Sequence, residues 1–418
     1  MRKPRWSSII YGLLCVILLL PTIQPLLTAD FTCGYDNVFH LWRSVQVEHL
    51  LRQGILFSRW APDMALGLGF PLFVFVSPAS AYVAALAHLA GLSWPLAVNA
   101  TFTLGLVLGG LFMFLLARDL FGPAAGLVAA VAYAYAPYQA YEVFNRGSLW
   151  EALAWAFPPL VLWAVQRWAV HHDRRFFALG VLSLAGLILT HQLFAFLFAP
   201  LLAGWVLLAG YLAHDVKVTL RGAAMGLLAL GLSAFFWLPG LAERDWVQTG
   251  RLLGTWVFDY RYNFLASTEL FALPRATDPT FINDWPPKAL GLLPALIALW
   301  PLVRWRSMGR TTRWQMGLLL ASTAGAALMT LPISLPLWDH LPLLPYVQFP
   351  WRFLGPAAFG AALLAGLTTS DLRPPTSNLQ PPTSSFQPYS SSLCSSSAAW
   401  AGSTRTIARR RRILPSPR

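Results

Sequence analysis

The first polar segment of the chain places an acid and an imidazole at a spacing that suits proton transfer. Asp36 and His40 are four positions apart, so on a helix they share one face, with Arg43 next along it. Phe39 and Trp42 fall on another side, which would face lipid if the helix lay along a membrane. The carboxylate would act as a general base or as a ligand of a hard cation. Asp36 could instead only cap the helix, and the segment alone leaves these roles open.

Further polar residues stand where long apolar runs begin or end. Arginine presents a rigid set of donors that matches a phosphate, although an arginine at such a boundary also simply reaches the lipid headgroups. A glutamate in the first turn of a helix equally suits the helix dipole, and a boundary histidine can be without function. We nonetheless predict a catalytic role for Glu151. The residues predicted to bind substrate are Arg146, His191, Gln348 and Arg352.

The composition excludes an ordinary soluble domain. Of 418 residues, 56% are hydrophobic and only 11% are charged, and the mean hydropathy is +0.55. Soluble domains carry about 25% charged residues. Apolar runs of about 20 residues recur along the chain, long enough to cross a hydrocarbon layer of about 30 Å. We therefore expect an all-α polytopic membrane protein. Its net charge of +13 is explained by basic inner loops and a basic tail, which orient membrane proteins, and not by nucleic-acid binding.

The distribution of basic residues selects a topology of about ten transmembrane helices. If the apolar run 72–91 crossed the membrane, the later Arg-rich loops would face outward. If the run is interfacial or re-entrant, which Pro78 favours, those loops all face the cytoplasm. The predicted segments are an N-terminal anchor helix (1–27), a long first outer loop with interfacial helices (28–95), a multi-helix transmembrane domain (96–368) and a disordered Pro/Ser/Arg-rich tail (369–418). We expect a multi-pass plasma-membrane protein with both termini cytoplasmic.

Several catalytic signatures are missing from the sequence. It contains no Gly-rich phosphate loop, no His-Glu-x-x-His motif and no nucleophile elbow. The three cysteines, Cys15, Cys33 and Cys394, fall in a helix, an outer loop and the tail, which predicts neither a disulfide nor a thiolate metal site. Nothing in the sequence therefore indicates ATP use or a buried hydrolytic triad, and no cofactor is required.

Taken in order, these pieces resemble the GT-C class of polytopic glycosyltransferases. Within that class the chain looks most similar to bacterial membrane proteins labelled 6-pyruvoyl-tetrahydropterin-synthase-related, a label that implies no pterin chemistry. The resemblance covers residues 36–352. Its pieces are Asp36-x-x-x-His40, Arg59-Trp-x-Pro62, Gly69-x-Pro71-x-Phe73, Arg146-Gly-x-x-x-Glu151, Thr190-His191, Phe236-Trp237-Leu-Pro239 with Glu243, and Gln348-Phe-Pro-Trp-Arg352.

The resemblance implies a specific activity. A sugar would pass from a polyprenyl-phosphate donor, reached from the membrane, to an acceptor that the sequence does not identify. Asp36 would deprotonate the acceptor, His40 would orient it or share the proton, and Arg146 with Arg352 would hold the donor phosphate. Many members of the class carry a second acid beside the first; here Asn37 follows Asp36. That departure disfavours a divalent metal and favours a metal-free base.

Two other functions stay open on the sequence. A transporter or flippase of a lipid-linked glycan would show broken helices in two matching halves and charges in mid-span. The sequence shows no clear internal repeat and few such charges. A catalytically inactive membrane protein of the same family is the third reading.

Overall fold

The computed structural model describes residues 5–273, 275 and 286–369, so the predicted tail beyond Thr369 lies outside the described residues. Regular structure in the described part is helical, apart from one isolated antiparallel bridge between Ala61 and Phe70. The absence of strands there is expected, because each long apolar run must satisfy its backbone hydrogen bonds internally. The predicted all-α class is confirmed.

The helices are short and numerous. The first group contains α1 (Arg5–Ile23), α2 (Asn37–Arg52), α3 (Leu72–Phe75), α4 (Ala79–Leu89), α5 (Trp94–Phe121), α6 (Pro123–Ala134) and α7 (Pro137–Ala140). The second group contains α8 (Leu149–Ala154), α9 (Phe157–His171), α10 (Arg174–Thr190), α11 (Gln192–Ala213), α12 (Val216–Leu232) and α13 (Ala234–Ala242). The third group contains α14 (Thr249–Leu253), α15 (Ser267–Leu270), α16 (Leu292–Leu299), α17 (Arg310–Met329), α18 (Leu335–His340) and α19 (Leu354–Leu367).

Tighter and wider turns connect these helices. A π-helix runs over Tyr141–Arg146, between α7 and α8. The 3₁₀ segments are Gln24–Leu26, Arg244–Trp246, Tyr260–Tyr262, Trp300–Ser307, Pro332–Ser334, Leu344–Val347 and Pro350–Phe353. Single-turn π segments occur mostly within helical regions at functional sites, which draws attention to residues 141–146.

Three to five of the described helices can cross a membrane. Ile9–Leu26, Trp94–Phe121 and Gln192–Ala213 each have the length and hydropathy of a span. Two bent pairs reach that length together: α12 with α13, bent by 72°, and α17 with the segment Pro332–His340, bent by 93°. The chain is therefore a helical membrane protein. The larger figure of about ten spans remains a prediction.

Prolines explain why some apolar runs are not single helices. The run 149–166 is divided between α8 and α9, and Pro158 and Pro159 lie in the first turn of α9. Proline is tolerated there because the first N–H groups of a helix have no partner within it, but it cannot continue a preceding helix. The run 72–91 is likewise divided between α3 and α4, with Pro78 at the start of α4.

Helix α19 lies at the centre of the transmembrane bundle. All of its residues from Leu354 to Leu367 are buried, and it packs against α6, α16 and α17. A helix that is apolar on every side must be surrounded by other helices. Its small residues permit this, since a side chain on Gly355 would overlap the Phe194 ring. The central position of α19 fixes the residues just before it, 350–353, deep within the protein.

The first outer segment folds back onto the bundle through α2 and α4, which pack together. Gln46 exchanges two hydrogen bonds with Asp63, each 3.0 Å long, and so ties the segment after α2 to that helix. Further along, the Ser77 hydroxyl donates to Gln192 and to the Ile188 carbonyl. Residues 36–77 are thereby held against the junction of α10 and α11.

Candidate functional site

One arginine gathers three carboxylates from different parts of the chain. Arg146 Nε donates to Asp36 Oδ2 over 3.1 Å, and Arg146 Nη1 donates to Glu142 Oε2 over 2.8 Å and to Glu151 Oε2 over 3.2 Å. Glu142 and Arg146 belong to the π-helix, Glu151 to the first turn of α8, and Asp36 directly precedes α2. Residues 36, 142, 146 and 151, here called the Arg146 cluster, therefore form one buried ionic network.

Two glycines allow the segments that carry this network to touch. The Asp36 amide donates to the Arg146 carbonyl over 2.8 Å. A side chain on Gly34 would overlap the Gly147 backbone, and a side chain on Gly147 would overlap Asn37 Oδ1. Gly147 also has φ of +72°, in the left-handed region that favours glycine. The backbone approach of residues 34–36 to 145–147 thus depends on glycine at both places.

The three acids differ in how far solvent or substrate can reach them. The Asp36 side chain is 23% exposed, whereas those of Glu142 and Glu151 are 0% and 1% exposed. Glu151 is held further by the Tyr138 hydroxyl, which donates to Glu151 Oε1 over 2.6 Å. Within the described residues, no donor is bonded to Asp36 Oδ1. Asp36 is therefore the acid of the cluster that can meet a bound molecule.

The capping role that the sequence left open for Asp36 is not what the structure shows. Asp36 occupies the N-cap position of α2, but its carboxylate makes no capping hydrogen bond and reaches Arg146 instead. Val38, Phe39 and Trp42 on α2 are more than half exposed, as expected for a helix face in contact with lipid. Helix α2 thus separates an apolar outer face from the end that presents Asp36.

His40 does not bond the Asp36 carboxylate in this arrangement. Its ring packs edge-on against Trp150, with ring centroids 5.1 Å apart, and its buried Nε2 has no hydrogen-bond partner in the described part of the chain. Burial, helped by the positive charges of Arg43 and Arg146, holds the pKa of His40 well below its usual range. His40 is therefore a neutral, buried imidazole with one uncommitted nitrogen.

His191 faces the same tryptophan from the junction of α10 and α11. Its Nδ1 accepts from the Phe194 amide over 3.2 Å and caps α11, so the proton of the neutral ring lies on Nε2. That Nε2 is 3.7 Å from Glu151 Oε2. Burial and the nearby Arg352 and Arg146 lower the pKa of His191 well below its usual range. His191 thus presents an N–H toward the Arg146 cluster.

Sequence reasoning assigned no role to Glu142, although it lies at the heart of the network. Burial raises the pKa of Glu142 to about 8 despite its ion pair with Arg146. Its second oxygen, Oε1, is buried without a described hydrogen-bond partner. The spacing of Glu142 and Arg146, four residues apart, was a signal in the sequence, but such pairs are common on exposed helices.

Lys288 was also missed by the sequence reasoning. Its ammonium nitrogen lies 5.4 Å from the Tyr141 ring centroid and 5.3 Å from that of Trp351, in the range of cation–π contacts. The Arg146 guanidinium lies 5.3 Å from the same Trp351 ring. Burial lowers the pKa of Lys288. An isolated lysine in a long outer loop gives no sequence pattern that would have marked it.

The structure places Arg352 near the cluster and leaves Gln348 apart from it. Arg352 is buried, donates from Nη1 to the Val347 carbonyl over 2.7 Å, and has an Nε without a described partner. Burial first, and then the charge of Arg146, lower the pKa of Arg352 to about 10. No hydrogen bond in the described part of the chain joins the Gln348 side chain to the cluster. The backbone of Gln348 has φ of +67° and forms the turn before Arg352.

The described side chains do not form a typical metal site. Among residues 5–273, 275 and 286–369, no three His, Cys, Asp or Glu side chains converge in a way that could hold a metal ion. Arg146 itself occupies the position between the three carboxylates. Hard cations require several free oxygen ligands, and here each acid already accepts from the guanidinium.

Comparison with known proteins adds a distant relative. No protein-family model matches the chain. An uncharacterized protein of Lactococcus lactis subsp. cremoris (strain MG1363) is 24% identical over 238 residues, which is 55% of this chain and 39% of the relative. The matched region thus spans about two fifths of the relative's length. The chain is similar to a larger protein whose description assigns no activity.

Proposed function

We propose that the protein is a GT-C-like membrane glycosyltransferase, which transfers a sugar from a polyprenyl-phosphate donor to an acceptor of the cell envelope. The observation that carries this proposal is the reach of the three acids on Arg146. Only Asp36 is accessible to a bound molecule, while Glu142 and Glu151 are enclosed. A single accessible carboxylate beside fixed positive charge suits a base that acts next to a phosphorylated substrate.

Asp36 would act as the general base. Its Oδ2 is oriented by Arg146 Nε, and Oδ1 is available to accept the proton of an acceptor hydroxyl. The acceptor oxygen then bonds to the anomeric carbon of the sugar, and the bond from that carbon to the phosphate oxygen breaks. The polyprenyl phosphate leaves with the bonding electrons. His40 and the Nε2–H of His191 lie on either partner of Trp150 and would orient the sugar or acceptor.

The balance of charge supports a phosphate-bearing donor. With a pKa of about 8, Glu142 is mostly protonated at neutral pH. Four cationic side chains then face two ionised carboxylates, Asp36 and Glu151. The cations are Arg43, Arg146, Lys288 and Arg352. The surplus positive charge would stabilise a phosphate leaving group, since charge stabilisation is strong in a site with little water.

An apolar groove beside the cluster supports a lipid-linked donor. Its volume is about 590 Å³, and it is lined by side chains of α9, α10, α11 and α12. One end of its lining includes Gln192, the residue that follows His191. Trp237, near the end of α13, lines it as well. A polyprenyl chain in this groove would bring its phosphate to the side of the Arg146 cluster.

We also propose the orientation that the charge distribution favours. About ten helices would span the plasma membrane, with residues 28–95 and the Arg146 cluster on the outer side and both termini in the cytoplasm. Reporter fusions after Gly91 and after Met308 test this orientation. We expect activity typical of the outside at Gly91 and of the cytoplasm at Met308; a cytoplasmic signal from both fusions contradicts the topology.

The activity is tested with purified protein in lipid nanodiscs, radiolabelled polyprenyl-phosphate sugars and a fraction of cell-envelope acceptors. Asp36→Asn should reduce transfer by about 10²- to 10⁴-fold, the usual contribution of a general base. Asp30→Asn is the matched control, because Asp30 is an exposed acid of the same outer segment. Equal rates for Asp36→Asn and the wild-type protein would exclude the role of Asp36 as base.

A transporter or flippase of lipid-linked glycans is the second candidate, favoured by the two bent helix pairs. Transporters often use broken helices at the substrate site, and α12 with α13 and α17 with Pro332–His340 are bent by 72° and 93°. In the same nanodisc assay, a transporter would bind the labelled lipid without releasing or transferring the sugar. Transfer of label to the acceptor excludes transport as the main function.

A further inference from the structure

A second polar cavity lies at the other end of helices α5 and α9 from the Arg146 cluster. Two arginines share one carboxylate there: Arg118 Nη2 lies 2.8 Å from Asp119 Oδ1, and Arg167 Nε lies 2.7 Å from Asp119 Oδ2. Helix α8 packs against α5 at Gly105, thirteen residues before Arg118. That separation is about 20 Å along a helix, so this cavity is distinct from the proposed catalytic site.

The cavity is open and has arginine donors in its wall. Its volume is about 380 Å³, and its lining includes Arg118, Gln166, Arg167 and His171. The side chains of Arg118 and Arg167 are 23% and 32% exposed, so both are partly enclosed and still reachable. In the part of the chain that the structure describes, Arg118 Nη1 and Arg167 Nη2 make no hydrogen bond. Each arginine therefore keeps a free donor edge.

The shared carboxylate does not cancel the charge of this cavity. Two guanidinium groups face one acid, so one positive charge remains. Asp119 is also occupied, because Oδ1 accepts from Arg118 Nε over 2.9 Å and Oδ2 accepts from the indole of Trp163 over 2.8 Å. An anion that enters would meet N–H groups rather than a bare carboxylate. Asp119 acts as a clamp that fixes both guanidinium groups.

We propose that this cavity binds the phosphate of an anionic phospholipid headgroup in the membrane leaflet opposite the Arg146 cluster. Paired arginines match the oxygens of a phosphate, and basic pockets between membrane helices recognise anionic headgroups. The cavity lies at the α5–α6 turn, where Pro123 lines it, and at the last turn of α9. It is thus at a helix boundary, which is the depth of lipid phosphates when α5 spans the membrane. The lipid would bridge α5 and α9.

The test measures lipid binding by the full-length protein with native mass spectrometry after delipidation in detergent. Phosphatidylglycerol is compared with phosphatidylcholine, and inorganic phosphate is added in a separate arm. The wild-type protein should retain phosphatidylglycerol in preference to phosphatidylcholine. Arg118→Gln/Arg167→Gln should bind phosphatidylglycerol about 30-fold more weakly, because each basic residue near an anionic headgroup contributes about fivefold. Arg174→Gln/Arg175→Gln is the matched control, since it removes two exposed charges at the start of α10.

Gln166→Glu serves if the double arginine variant does not fold. It leaves the contacts of Asp119 intact, adds a negative charge to the cavity wall and should also weaken phosphatidylglycerol binding at least fivefold. Equal binding by wild-type protein and these cavity variants would overturn the proposal. An equal loss in the Arg174/Arg175 control would do so too. If inorganic phosphate displaces the lipid at equal concentration, the site is one for free phosphate and the lipid assignment is wrong.

Discussion

Arg146 Nε and Asp36 Oδ2 are joined over 3.1 Å although the residues are 110 positions apart in the chain. The contact links the first outer segment to the π-helix before α8 and is the only tie of the cluster to α2 among the described side-chain hydrogen bonds within it. Asp36 is thus positioned by a group that belongs to the transmembrane bundle. Its reactivity depends on how well these two segments stay together.

Removing the arginine should unfold the region around the cluster. Arg146→Met leaves three carboxylates without their shared cation, and breaking a buried ion pair on one side typically costs about 3–5 kcal/mol. The free energy of unfolding, or the rate of limited proteolysis in detergent, measures this loss. Arg59→Met is the matched control, because its pair with Glu243 is 45% and 44% exposed and such pairs contribute at most about 1 kcal/mol. Similar losses in both variants would contradict the central role of Arg146.

The proton on Glu142 should give the protein an alkaline limit. Because the pKa of Glu142 is raised to about 8 from 4.5, the folded protein keeps a proton that the unfolded chain loses. Stability therefore falls as pH rises from about 4.5 to about 8, and donor affinity should fall as pH passes 8, when a negative charge appears beside the phosphate. Glu142→Gln should abolish this dependence of donor affinity between pH 7 and pH 9. The same decline in Glu142→Gln and wild-type protein would assign it to another group.

The two buried imidazoles should give the protein an acid limit. The pKa values of His40 and His191 are lowered from 6.5 by burial, so below about pH 6.5 the unfolded chain binds protons that the folded protein does not. The thermal midpoint in detergent should therefore fall between pH 7.5 and pH 5.5. His191→Asn, which can still cap α11, should reduce that fall. His49→Gln, at a side chain that is 39% exposed, should leave the fall unchanged.

A methyl group on Gly34 should separate Asp36 from Arg146 without touching any substrate. The Cβ of Gly34→Ala would overlap the backbone of Gly147, so residues 34–36 must move away. We expect sugar transfer to drop at least tenfold while the protein still inserts and folds. Gly231→Ala is the control, because a Cβ there meets no atom within 4 Å. Full activity of Gly34→Ala would show that the close approach is not needed for the chemistry.

The sequence was sufficient to place several site residues in one neighbourhood. Asp36, Arg146, Glu151 and His191 come together in the structure, and Arg352 lies close enough to influence the pKa of His191. Their common feature was visible, since each is a polar residue at the boundary of an apolar run. Their assigned roles in catalysis and substrate binding stay predictions.

The partners of those residues could not be read from the chain. The sequence gives no sign that Asp36 bonds Arg146 rather than His40, because that choice depends on a backbone contact between two glycines. The break between α8 and α9 was also hidden, since hydropathy does not change across Trp155 and Ala156. Lys288 is recognised as a site residue only through the aromatic rings beside it.

The central position of α19 has a consequence for biosynthesis. Membrane helices leave the ribosome in order, yet the helix that every neighbour surrounds is the last of the described helices to be made. The earlier helices must therefore wait around an unfilled interior until Leu354–Leu367 inserts between them. Because Trp351 and Arg352 arrive with that helix, the site closes at the end of translation. A nascent chain halted before α19 would expose the buried charges to the lipid and to quality-control proteases.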